Sequence, residues 1–278
     1  MQGIEMTGSW CEAAGVALRY RFDGAGGPLL ILVHEMGGMI ESWDRVVPLL
    51  RERFRIFRFD MRGAGMSEKV KEGIRVDQLA DDLAALLDAV GIGEKALVAG
   101  CAVGAAVALS FATRHPERCA GLVLMNPALN VTPENLPGLQ ARAELLRQAG
   151  THGIVEESLA SGYPESLRAQ DHAHFDLFRA RWLANDPESL RAHFLMLAEM
   201  DLRADLAEVG CPVLAISGRL DPLRTTSYVQ ELLDPVVDAR LVVIDAGHHM
   251  PDQAPEAVAR EIASFAPRLP GLQAGEAA

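Results

Sequence analysis

A mostly parallel α/β sheet, covered by helices on both faces and carrying one helical insertion, is the architecture this sequence predicts. Three observations lead there. Short apolar runs bounded by turn residues alternate with segments of helical periodicity, the pattern of a layered α/β domain. The run Leu29-Leu30-Ile31-Leu32-Val33-His34 is apolar without alternation, as a strand buried on both faces must be. From Ala128 to about Asp205 such runs vanish and only helix-length segments remain. The division expected is a core made of 1–127 and 206–278 with a helical cap, 128–205, inserted in it.

In chain order, Ser9–Glu12 and Val16–Phe22 read as two strands separated at Gly15, and Asp23–Pro28 is a turn by composition. The buried strand over 29–34 follows and ends in the glycine-containing loop Glu35-Met36-Gly37-Gly38. Met39–Arg51 reads as one helix and Phe54–Asp60 as the next strand. Val76, Leu79, Leu83, Leu86, Leu87 and Val90 mark a helical face that Gly91 stops. Ala96-Leu97-Val98 opens a further strand, an Ala/Val/Leu-rich helix follows it, and Cys119–Met125 is again a strand. Inside the insertion, Thr132-Pro133-Glu134 and Asp186-Pro187-Glu188 read as helix starts, each an N-cap followed by an N1 proline. Pro212–Ser217, a helix near Thr226–Leu233, Leu241–Asp245 and a helix bearing Val258, Ile262 and Phe265 complete the alternation. The tail over 267–278 is expected to fray.

A length of 278 residues suits one large α/β domain or a core with one inserted subdomain, and 49% apolar residues fill it. A formal charge of -12 with both signs interspersed argues against nucleic-acid binding, which would need a basic patch. No apolar run is long enough for a membrane span and the N-terminus lacks a signal-peptide pattern, so a cytoplasmic location is expected. Cys11, Cys101, Cys119 and Cys211 are scattered without CxxC pairs and read as buried thiols. No metal site, phosphate loop or cofactor motif is recognisable; the partners expected are a small-molecule substrate and, in a homodimer the sequence allows, a second copy of the chain.

The chemistry concentrates where the strands end. Gly100-Cys101-Ala102-Val103-Gly104 joins a strand to a helix at the spacing Gly-x-nucleophile-x-Gly. In such an elbow the two glycines remove side chains that would collide with neighbouring backbone. Here the central residue is Ala102, which has no nucleophilic atom. Gly218-Arg219-Leu220-Asp221 and Gly247-His248 each follow a late strand, so nucleophile position, acid and histidine come in the order of a Ser–Asp–His triad. In parallel sheets ligands gather at the carboxyl ends of the strands, where His34, Ala102, Asp221 and His248 all fall.

With these landmarks, the His34-Glu35-Met36-Gly37-Gly38 loop and Asp60-x-Arg62-Gly63-x-Gly65-x-Ser67, the chain resembles the α/β-hydrolase superfamily over nearly its whole length. Arg142-Ala143-Glu144, Asn185-Asp186-Pro187-Glu188 and Asp201-Leu202-Arg203-Ala204-Asp205-Leu206 make it look most like the 3-oxoadipate enol-lactone hydrolase group. The resemblance implies an α/β-hydrolase fold and hydrolysis of a small ester or lactone. It implies position 102 as nucleophile, Asp221 and His248 as the other triad members, and the Met36 and Val103 amides as the oxyanion hole. Asp60 and Arg62 would order a loop beside the site. Two departures stand out. Ala102 marks either an active-site variant made to trap a ligand or a natural pseudoenzyme; the intact Asp221, His248 and elbow glycines favour the engineered variant. Glu35 stands where the family usually has glycine and sets a carboxylate beside the oxyanion hole, where it would disfavour an anionic acyl group.

His34, Glu35 and Trp182 are the substrate-binding candidates; His172, His174, Arg179, Arg181 and His193 are more simply read as solvated cap residues. Phe175, Phe178 and Trp182 lie at helical spacing, which means packing but also suits a pocket wall. Cys101 is one residue out of register for a nucleophile, and His249 reads as a neighbour of the base. Amide or C–C bond cleavage on the same triad, a non-catalytic ligand receptor, and a cofactor-free enzyme using only the His248–Asp221 dyad are the competing functions.

Overall fold

The computed structural model describes residues 8–24, 26–70, 73–269 and 272. Ala25 of the 23–28 turn, and Pro270, Gly271 and 273–278 of the tail, lie outside the described residues. Eight strands form one sheet: β1 (Ser9–Ala13), β2 (Val16–Asp23), β3 (Leu29–Val33), β4 (Arg55–Phe59), β5 (Ala96–Cys101), β6 (Cys119–Met125), β7 (Val213–Gly218) and β8 (Ala239–Ile244). Their spatial order is β1-β2-β4-β3-β5-β6-β7-β8. Only the β1–β2 and β2–β4 pairs are antiparallel; β4 to β8 run parallel. β3, β5 and β6 are buried along their whole length, as their unbroken apolar runs demand.

The helices are α1 (Val47–Leu50), α2 (Val76–Ala89), α3 (Val103–Arg114), α4 (Leu136–Ala149), α5 (Val155–Gly162), α6 (Glu165–Arg168), α7 (His172–Leu183), α8 (Pro187–Glu199), α9 (Thr226–Leu232), α10 (Met250–Gln253) and α11 (Pro255–Phe265). Leu83, Leu86 and Leu87 of α2 and Val107 and Phe111 of α3 pack on one face of the sheet; Leu50 of α1 and Val258, Ile262 and Phe265 of α11 pack on the other. Between β6 and β7 the chain forms only helices, α4 to α8 with short 3₁₀ turns.

Two expected helices differ. Instead of one helix over 39–51 there is a 3₁₀ turn, Ile40–Trp43, and then the single turn of α1. Pro48 explains this, since its ring blocks a helical carbonyl four residues earlier and it brings no N–H to the ladder. The helix expected at Thr132 begins at Leu136: Thr132 O accepts from the Asn135 and Leu136 amides at 3.0 and 3.1 Å, closing a separate turn, and Pro137 takes the first helical turn. Asp186 caps α8 as expected, accepting from Ser189 N at 2.8 Å. Pro267 and Arg268, assigned to the fraying tail, sit in a 3₁₀ turn over Ala266–Arg268.

The elbow is the tightest junction. A Cβ on Gly104 would run into the carbonyl oxygens of Val33 and His34, so β3 and α3 approach to backbone contact there. Gly104→Ala should therefore cost more than about 4 kcal/mol, because neither carbonyl can yield without breaking the sheet. Urea unfolding followed by circular dichroism measures this; a loss under about 1 kcal/mol would mean that the junction is not close-packed.

Candidate active site

The strand ends bring Ala102, Asp221 and His248 to one region. Ala102 lies between β5 and α3 at φ 52, ψ -112, a backbone conformation that L residues avoid. Holding a non-glycine residue there costs on the order of 1–3 kcal/mol, and such strain collects at functional positions. The Met36 and Val103 amides donate no hydrogen bond to any described residue, which leaves both free for a ligand oxygen.

Asp221 is buried, and each of its carboxylate oxygens has defined work. Oδ1 accepts from Leu223 N at 2.8 Å and Arg224 N at 3.2 Å, which fixes the carboxylate plane. Oδ2 lies 2.7 Å from His248 Nδ1. Against a carboxylate Nδ1 must carry the proton, which leaves Nε2 as the ring's lone-pair nitrogen. One residue staples the two loops together. Asn126, at φ 42, donates from Nδ2 to Gly247 O at 2.9 Å and accepts at Oδ1 from Gly218 N at 2.8 Å. No motif flagged Asn126 as functional. Its position just past β6, between the ends of β5 and β7, is the signal that identifies it. Asn126→Ala should cost about 2 kcal/mol by stranding two buried backbone groups. Chemical denaturation reads that loss, and a parent-like midpoint would remove the staple.

A cavity of about 340 Å³ is lined by Glu35, Met36, Ala102, Val103 and His248 and by cap residues including Leu139, Trp182 and Phe194. Trp182 lies over the turn of the 34–38 loop: a Cβ on Gly37, which has φ 77, would sit 2.6 Å from Trp182 Nε1. Asn185, one turn on, donates to Gly37 O at 2.8 Å, so the cap holds this loop directly.

His34, expected to bind substrate, does not line this cavity. Its Nε2 accepts from Met61 N at 3.0 Å and its Nδ1 donates to Glu35 O at 2.7 Å, so both nitrogens are used inside the protein. Burial pushes its pKa down, which suits a neutral structural ring. Cys101 is buried, with its Sγ 3.5 Å from His248 O, and burial raises its thiol well above the usual range. That leaves the thiolate chemistry of a nucleophile out of reach.

Three of the cap residues, His174, Arg181 and His193, are less solvated than expected. Arg181 and His174 both reach Asp252 Oδ1, at 2.6 and 2.8 Å, across the join between cap and core. His193 is buried and pushed down to about 4 by that burial. His172 is exposed, and Arg179 pairs with Glu156 at the surface. Asp60 accepts from Ile40 N and Met66 N at 2.7 Å each, and Arg62 makes a two-pronged pair with buried Asp82. Cys119 and Cys211 approach to 3.8 Å between sulfurs, a proximity their spacing of 92 residues concealed.

Fold and site are those of an α/β hydrolase, and a model of the alpha/beta hydrolase fold matches residues 28–153. Among curated relatives, 3-oxoadipate enol-lactonase 2 of Acinetobacter baylyi is 29% identical over 259 residues, covering 88% of this chain and 91% of that protein. Among solved structures, a thermophilic esterase from Thermogutta terrifontis superposes with a TM-score of 0.87 at 27% identity, over 94% of this chain and 98% of its own. The enol-lactonase of Burkholderia xenovorans LB400 gives 0.87 at 26% identity, over 92% and 99%. No helix among the described residues is long and apolar enough to cross a membrane.

Proposed function

We propose that this chain binds a small ester or lactone in the 340 Å³ cavity and is the nucleophile-lacking form of a serine hydrolase. One observation carries the reading: Ala102 keeps the strained φ of 52 that presents a side chain to a substrate carbonyl, although alanine has nothing to present. The relatives named above, an enol-lactonase among them, support the substrate class. In this reading the Met36 and Val103 amides hold the developing oxyanion, a contribution of about 3 kcal/mol for each donor. His248, oriented by Asp221, acts as the base. With serine at 102 the hydroxyl would attack the carbonyl carbon as His248 takes its proton. His248 would return that proton to the departing alcohol, and water would then release the acyl group.

The direct test is labelling. Ala102→Ser should react with a fluorophosphonate probe, and Ala102→Ser combined with His248→Ala should not. An unlabelled serine variant would favour a ligand receptor instead.

A further inference from the structure

The serine mechanism has no use for Glu35, yet the site is built around its side chain. Glu35 is buried, borders the reaction cavity together with Ala102, Met36 and His248, and is held by Ser42, whose hydroxyl donates to Oε1 at 2.9 Å. Gly38 makes room for it: a Cβ there would sit 2.6 Å from the Glu35 carboxyl carbon. The second oxygen, Oε2, has no hydrogen-bond partner among the described residues. A buried carboxylate oxygen without a donor is costly, and protonation relieves the cost. We propose that Glu35 is the proton donor of a serine-independent hydrolysis in this cavity, acting on the leaving oxygen of the bound ester or lactone. The inference rests on the same cavity and substrate class as the function proposed above.

The electrostatics agree with the geometry. Burial pushes the Glu35 carboxyl up to about 7, and the Asp252 charge adds to this, while Ser42 and the Arg181 guanidinium act against it. Asp252 is itself drawn toward Arg181 and His174 at the cap. His248 and His249 face the same cavity, and burial holds His249 well below its usual range, so it adds no cation beside Glu35.

With a methyl group at 102, a water is the attacking group. It forms the new C–O bond while His248 Nε2 takes one of its protons, and the carbonyl oxygen becomes the oxyanion facing the Met36 and Val103 amides. In this route the departing alcohol takes its proton from a second acid, and His248 keeps the one it took from water. The Glu35 proton passes to the departing oxygen, and the His248 proton then returns to the Glu35 carboxylate through solvent. Ester and water give acid and alcohol.

The test compares the chain as it stands with E35Q on ethyl butyrate, whose alkoxide needs a proton, and p-nitrophenyl butyrate, whose phenolate does not. General acid catalysis contributes about 100-fold or more. E35Q should therefore lower kcat/KM on the ethyl ester by about 100-fold, and by at least about tenfold more than on the nitrophenyl ester. On the ethyl ester the parent rate should fall as pH rises through about 7, and E35Q should lack that fall. A readout independent of activity is thermal unfolding. Raised above its unfolded value near 4.5, the Glu35 group favours the fold when protonated and loses that contribution as pH climbs through about 7. The Tm of E35Q minus that of the parent should accordingly grow between pH 5 and 8. Equal losses on both esters, or no turnover by the parent, would overturn the proposal. Should Ala102→Ser be labelled while the parent turns over neither ester, the function proposed above stands and this inference alone falls.

Discussion

Ala102→Ser is expected to raise kcat on short-chain esters or lactones by about 10⁴-fold or more. In a comparable triad, removing the serine lowers kcat by about 10⁶, while binding and the oxyanion donors still give a residual rate. The gain should approach the upper figure only if the water route is slow. Two parts of the site are already set: Ala102 has φ 52 and the His248–Asp221 pair is closed at 2.7 Å. Adding His248→Ala should remove nearly all of the gain, since triad members act as a unit. A panel of butyrate esters and five- and six-membered lactones measures the effect. A serine variant no faster than its parent across that panel would end the hydrolase reading.

Much of this site could be read from residues because strand ends announce themselves. Unbroken apolar runs marked β3, β5 and β6, and the carboxyl ends of β3 and β5 located His34 and Ala102. Gly-His and Gly-x-x-Asp did the same after β8 and β7. Contacts set by register between distant strands were not legible. Asn126 bridges Gly218 and Gly247 only because β6 and β7 are neighbours, and nothing local to Asn126-Pro127 says so. The role of His34 turned on ring direction: its Nε2 meets Met61 N because β3 and β4 pair in parallel. Glu35 was visible as a departure from family pattern, but the partnerless Oε2 and the opposing pulls of Asp252 and Arg181 required the packed cap. The local misreadings at Met39–Arg51 and Thr132 share one cause, prolines whose effect depends on which turn they enter.

The loop that carries the Met36 amide depends on a group outside the cavity, and removing that group should have the largest effect on stability of any polar substitution near the site. Asp60 is wholly buried just past β4. Its Oδ1 accepts from Ile40 N at 2.7 Å; its Oδ2 accepts from Met66 N at 2.7 Å and from the Arg19 guanidinium at 3.3 Å. The carboxylate thus ties the exit of the 34–39 loop to the 61–67 loop and to β2. Asp60→Ala would strand the buried Ile40 amide and the half-buried Met66 amide, and leave Arg19, also buried, with Glu41 as its remaining carboxylate among the described residues. Breaking a buried pair from one side costs about 3–5 kcal/mol, a large share of the roughly 5–15 kcal/mol that holds a domain together. Asp60→Asn should cost less, because one acceptor oxygen survives, but its NH₂ would face a donor and the loss should still exceed about 1 kcal/mol. In the Ala102→Ser background both substitutions should lower kcat, with alanine worse, since an oxyanion donor acts only when held in place. Urea unfolding and ester kinetics on the same preparations separate the two effects. An Asp60→Ala chain within about 1 kcal/mol of its parent would mean that the loop is positioned by the cap, through Asn185 and Trp182, and not by Asp60.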